Sequence, residues 1–131
     1  MTQKFNYLEE PLKNYIDRIS AKTPVPGGGS VTACVASFGA GLLNMVLNFT
    51  LGRERYAVYQ KELEGIKAEI DRMLEKLTPY IEEDSEVYSF IKRYSTQEKN
   101  PALQEKYLRQ SVQMHLDICD ISLKIIEFSG L

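Results

Sequence analysis

Residues 23–52 read TPVPGGGSVTACVASFGAGLLNMVLNFTLG and contain no charged side chain, although Lys22 and Arg53 stand directly at their ends. Two prolines, Pro24 and Pro26, precede Gly27, Gly28, Gly29 and Ser30. Proline fixes φ and glycine frees it, so a shaped loop gives way to a permissive one. Ser30 suits an N-cap and Gly52 suits a C′ stop. Between them the pattern predicts a helix of about 20 residues, roughly 30 Å long at ~1.5 Å per residue.

That helix has two unlike sides. Val31, Val35, Phe38, Leu42, Met45, Val46 and Phe49 form a bulky apolar face at helical spacing. Ser30, Cys34, Ser37, Gly41, Asn44 and Asn48 form a second line that is small or polar throughout. Small residues allow a close neighbouring backbone, and buried Asn amides need partners. The helix is therefore expected to be central, with protein on nearly all sides. A glycine loop feeding it sets free N–H groups at a positive dipole end, where an anion or carbonyl group can sit. Three plainer readings stay open from these residues alone: a flexible glycine linker, a membrane span by length, or a purely structural buried helix. The immediate helix start argues against the first, and Ser37, Asn44 and Asn48 dilute the second.

Outward from this stretch, 131 residues make one domain, expected to span 1–131 and long enough to bury a core. A formal net charge of −2, without a basic stripe, argues against nucleic acid as a partner. Cys34 and Cys119 lie far apart in apolar helical patterns and read as buried free thiols. The N-terminus lacks the layout of a secretory signal, so a cytoplasmic protein, with no membrane partner, is the default expectation.

Before the loop, Leu12, Tyr15, Ile16 and Ile19 mark a short amphipathic helix, with Pro11 in its first turn and Glu9 and Glu10 at its positive end. After Gly52, Arg53 is placed either to stabilise the negative end of the central helix or to capture a ligand carboxylate. From Tyr59 to Tyr94 a heptad-like stripe runs through Leu63, Ile66, Ile70, Met73, Leu77, Tyr80, Asp84, Val87 and Ile91. It is the pattern of a long helix packed lengthwise against others, kinked or split at Pro79.

Asp84 is the one charged group on that stripe. A carboxylate facing a core is costly unless paired, and a desolvated one is suited to general acid–base work. The alternative is that the stripe drifts by one residue beyond Pro79, which moves Asp84 onto a solvated acidic face with Glu82, Glu83 and Glu86. Pro101 then opens a last helix whose face carries Tyr107, Met114, Ile118, Ile121, Ile125 and Phe128. That helix leaves Ile125, Ile126 and Phe128 asking for cover. His115, the single histidine, reads as a structural residue beside that face. No zinc-type cluster, nucleotide-binding glycine motif or serine-hydrolase elbow is present.

The loop and helix of residues 23–52 resemble the signature of the formiminotetrahydrofolate cyclodeaminase / methenyltetrahydrofolate cyclohydrolase family, with its T-P-x-P-G-G-G-S loop, small-residue helix and closing T-x-G-K-like turn. Residues 53–91 are similar, more loosely, to its long second region with an acidic I-x-E-D segment. The resemblance implies an all-α fold: an antiparallel helical bundle with long kinked helices around a buried small-residue helix. It also implies a homodimer or higher homo-oligomer, and a reduced folate bound near the glycine loop. The activities are closure of 5-formimino-tetrahydrofolate to the 5,10-methenyl form with release of ammonia, or interconversion of the 5,10-methenyl and 10-formyl forms with water. No cofactor is implied beyond the tetrahydrofolate substrate, and no metal.

By the same resemblance Gly27, Gly28, Gly29 and Ser30 contact the folate and Asp84 is the acid–base group. Arg53 stands where the family commonly has lysine, and Asn44 and Asn48 are candidates to line the cleft. His115 falls where many relatives have proline and receives no family role. Relatives continue through further helices beyond Phe128, so the chain is expected to be a fragment or a shortened member with apolar surface for a partner to cover. A dimeric helical module that binds folate or protein without catalysis is the alternative reading.

Overall fold

The computed structural model describes residues 4–131. Its elements are α1 (Leu12–Ser20), α2 (Gly28–Thr50), a 3-10 segment (Glu54–Tyr59), α3 (Gln60–Lys92), a π-helical turn (Arg93–Gln97) and α4 (Pro101–Ser129). The fold is all-α, as expected. Helix α3 packs along both α2 and α4, which also touch each other. Ser30 meets Asp84 while Asn44 meets Asp71, so α2 and α3 run antiparallel. Tyr80 meets Asp117 while Glu83 meets Gln110, so α3 and α4 are antiparallel too.

The seam of α2 differs from the expected one. Its buried residues are Gly29, Ser30, Ala33, Ala36, Ala40 and Leu47, a line of mostly small side chains that lets α3 approach closely. The bulky face points outward: Val35, Phe38, Leu42, Val46 and Phe49 are 57–67% exposed, and Met45 is 48% exposed. A helix enclosed on nearly all sides is thus not what a single chain gives. By length and apolar composition α2 is also able to cross a membrane, but here it lies along α3 and α4 as a bundle element. Cys119 corrects a second expectation: it is exposed, on an open α4 line with Val112, Leu116, Leu123 and Ile126, whereas Cys34 is half-buried.

Helix α3 is not split at Pro79. Pro79 and Glu75, whose carbonyl loses its ladder donor, are both exposed, which leaves the freed oxygen on the solvent side of the helix. The buried line does change there. Ile70, Met73 and Leu77 are followed by Ile81 and Ser85, and then by Val87 of the expected stripe, while Tyr80 and Asp84 are only half-buried. On α4, Met114 and Ile118 are buried as the pattern predicts, and Ile125 and Phe128 pack against the Ala40–Leu47–Ile70 cluster, while Ile126 stays 67% exposed.

Two buried tyrosines and Phe5 bring the N-terminal arm into the core. Tyr15 is the one buried residue of α1, and Leu12, Ile16 and Ile19 remain exposed, contrary to their expected core role. The arm is held by polar bonds as well. Tyr7 Oη donates to Ser85 Oγ at 3.1 Å and the Leu8 N–H donates to Glu82 at 3.0 Å. Between α3 and α4, the Tyr80 hydroxyl donates to Asp117 at 2.6 Å. Burial raises the Asp117 pKa, but hydrogen bonds from Tyr80, Gln113 and Lys76 outweigh it and hold the carboxyl below its ordinary range. Burial, then the Asp117 bond, pushes the Tyr80 phenol well up.

Candidate active site

Helix α2 begins earlier than its serine suggests. Gly27 is the N-cap and makes no side-chain cap bond, so Ser30 lies inside the first turn. Ser30 Oγ donates to the Ile81 carbonyl at 2.5 Å and accepts from Tyr15 Oη at 2.6 Å. The cap comes instead from another helix. Asp84 Oδ2 accepts the Ser30 backbone N–H at 3.1 Å. A carboxylate at a helix N-terminus satisfies an orphan donor and meets the positive dipole end. The N–H groups of Gly28 and Gly29 make no hydrogen bond to the described residues; Gly28 is exposed, whereas Gly29 is buried.

Gly29 is the glycine that space requires. A Cβ added there would overlap Asp84 Oδ1 and stand 2.6 Å from Asp84 Cγ and 2.8 Å from His115 Nε2. A Cβ on Gly27 would lie 3.3 Å from the Pro24 carbonyl, and one on Gly28 would meet nothing. The space below Gly29 therefore holds a carboxylate and an imidazole. The Asp84 side chain is 14% exposed and that of His115 is 51% exposed, with Oδ1 and Nε2 3.8 Å apart. His115 Nδ1 lies 2.7 Å from the Ser111 carbonyl oxygen.

Asp84 thus meets both of its readings half-way. Beyond Pro79, Ile81 and Ser85 are buried off the expected stripe while Val87 is buried on it, and the carboxylate is not on a solvated face, because Gly29 and His115 stand against it. The neighbouring acids are engaged as well: Glu82 caps Leu8 and Glu83 binds Gln110. A cleft of about 590 Å³ lies between the proline loop and the later turns of α3, lined by Pro24 and Val25, by Glu86, Tyr88 and Phe90, and by Lys4, Lys92 and Arg93; Asp84, His115 and the glycines are not in its lining.

The remaining candidates do not join this site within one chain. Asn44 donates to Asp71 at 2.7 Å, well down α2, and Asn48 lies in a shallow surface hollow with Met45 and Phe49. Arg53 stands past the far end of α2, roughly 30 Å from Asp84 at ~1.5 Å per residue. Its Nε donates to the Phe49 carbonyl, the helix-end role rather than a ligand contact in this chain. His115, expected only as a structural residue, stands 3.8 Å from Asp84. Nothing local in the sequence signals this; only the α3–α4 register brings residue 115 to residue 84.

Comparison with known proteins gives the family and the fold. The formiminotransferase-cyclodeaminase family matches residues 11–129. The chain belongs to that family. Its relatives include methenyltetrahydrofolate cyclohydrolase of Methylorubrum extorquens, 24% identical over 93% of this chain and 62% of that protein. Formimidoyltransferase-cyclodeaminase of Mus musculus is 28% identical over 86% of this chain and 22% of its own length. Among solved structures, formiminotetrahydrofolate cyclodeaminase of Thermotoga maritima superimposes with a TM-score of 0.78 at 22% identity, covering 88% of this chain and 58% of that one. The chain thus spans less than two thirds of each of these family members, and at this identity the structural likeness speaks for the shared fold.

Proposed function

We propose that the chain acts on the one-carbon unit of a reduced folate, as a formiminotetrahydrofolate cyclodeaminase or a methenyltetrahydrofolate cyclohydrolase, with Asp84 as the acid–base group. The observation that carries this is the Asp84 carboxylate, largely buried and fixed by the Ser30 N–H beneath a glycine that leaves it room. Both reactions need a proton moved at a carbon–nitrogen centre. With Oδ2 occupied by Ser30, Oδ1 is the oxygen free to give or take that proton. The exposed Gly28 N–H supplies a donor for a substrate oxygen, and Lys4 and Lys92 in the cleft beside Pro24 and Val25 supply cations for the folate carboxylates.

Binding tests this reading first. A ligand that binds only the folded state stabilises it, by about 2.7 kcal/mol at ~100 times its Kd. Thermal unfolding with and without excess tetrahydrofolate or 5,10-methenyltetrahydrofolate should show a clear rise in Tm. An unchanged Tm at saturating concentrations of both compounds would dispose of the folate reading.

The same reading includes a homodimer through α2. Val35, Phe38, Leu42, Met45, Val46 and Phe49 form an uncharged, heptad-spaced stripe left open by the single chain. Antiparallel two-fold pairing about Leu42 suits the helix dipoles and makes the contact self-complementary. Val31 and Arg53 are equally far from Leu42 in sequence, so this pairing carries the partner subunit's Arg53 toward the glycine turn. Charge on the stripe, as Phe38→Glu with Leu42→Glu, should convert a dimer to a monomer in sedimentation velocity. A native chain that is already monomeric at tens of micromolar, on the order of ordinary assay concentrations, would count against the pairing.

A further inference from the structure

His115 is bound by its own helix on one side of the ring and faces Asp84 with the other. A carbonyl oxygen only accepts, so the 2.7 Å contact to Ser111 places a hydrogen on Nδ1. In a neutral imidazole Nε2 then carries a lone pair, and it is Nε2 that lies 3.8 Å from Asp84 Oδ1. Two acceptors facing each other repel. The contact becomes attractive when one proton lies between them, as imidazolium with carboxylate or as imidazole with carboxylic acid. The second carboxylate oxygen cannot substitute, because it is held by the Ser30 N–H. Gly29 keeps the space between them open, since a Cβ there would collide with both groups.

We propose that His115 and Asp84 hold one proton between them, and that His115 is the positioning residue that exchanges it between solvent and Asp84. Its role in turnover rests on the folate reading; the pairing does not. The difference in exposure, 51% for the imidazole and 14% for the carboxylate, sets the direction. When a leaving nitrogen must be protonated, the Asp84 Oδ1–H bond breaks as the new N–H bond forms. The carboxylate is then reprotonated from Nε2–H, and the imidazole regains its proton from water. In the hydrolytic direction the proton given up by attacking water travels the same way outward. The 3.8 Å separation closes with a small turn of the ring or one bridging water. From α3 the ring faces Asp84, and from α2 it faces the uncharged backbone at Gly29. Tyr7 and Tyr15 lie within electrostatic reach of Asp84, and their phenols are pushed up first by burial and least by Asp84.

The sequence holds one histidine, so the ¹⁵N-labelled full chain gives a single pair of ring-nitrogen NMR signals. At a fixed pH near neutrality, Asp84→Asn should displace the Nε2 signal and leave Nδ1 nearly in place. An unmoved Nε2 signal would overturn the pairing. His115→Gln keeps a polar group on a half-exposed site but cannot carry the proton. It should lower kcat for 5,10-methenyl- or 5-formimino-tetrahydrofolate by about tenfold, less than the ~10²–10⁴ of a group acting directly, with KM little changed. A native kcat in His115→Gln would overturn the exchange role. A native chain inactive on both folates, with the Nε2 signal still displaced by Asp84→Asn, would refute the folate chemistry while upholding the pairing.

Discussion

Asp84→Asn is expected to lower turnover of the folate substrate by about 10²–10⁴-fold, the usual contribution of a positioned acid–base group. The amide keeps the shape of the carboxylate, and its oxygen still accepts the Ser30 N–H bond that ties α3 to the start of α2. Asn and Asp cap helices about equally well, so thermal stability should barely change. What is lost is a group able to give and take a proton. Folate binding, read as the rise in Tm, should persist, because the Gly28 N–H and the cleft cations are untouched. Steady-state kinetics beside a melting curve separates the two effects. Native kcat in a well-folded Asp84→Asn protein would remove this residue from the chemistry.

Gly29→Ala should cost both activity and stability, although the substitution is favourable by helix propensity alone. Alanine gains about 1 kcal/mol over glycine in a helix interior, an upper bound for Gly29 in the first turn. Here the new methyl would fall on Asp84 Oδ1 and within 2.8 Å of His115 Nε2. The aspartate side chain is short and its other oxygen is already bonded, so it cannot swing clear without giving up the Ser30 contact. Overpacking of this sort costs roughly 1–3 kcal/mol, enough to reverse the propensity gain. A displacement of about 1 Å at an acid–base group can lower the rate by ~10²-fold. Gly28→Ala is the control, since a Cβ there meets nothing. Equal melting points and equal rates for the two alanine variants would show that the space under Gly29 is not used as described.

Much of this was legible in the residues. The charge-free run after Pro24 announced a loop feeding a helix, and Gly52, with φ of +78°, ends that helix as a C′ glycine should. The lone carboxylate on the α3 stripe singled out Asp84. Other parts were hidden for definite reasons. Alanine registers as neither bulky nor polar, so the true seam through Ala33, Ala36 and Ala40 gave a weaker signal than the large side chains beside it. Those large side chains lie open in the single chain, where periodicity alone reads as burial. Ser30 looked like a cap because capping chemistry is local, whereas the actual cap arrives from a residue 54 positions away. Phe5 and Tyr7 belong to the core without belonging to any periodic element. His115 depended on the relative sliding of two helices, which no local pattern encodes.

The meeting of α2, α3 and α4 at Gly29 ties three helices to one small volume. The Ser30 cap joins α2 to α3 alone, whereas the His115 contact joins α3 to α4. On the proposed reading, a slip of α4 along α3 would separate the imidazole from the carboxylate while the cap stays intact, so proton exchange is more sensitive to that helix pair than the shape of the glycine turn is.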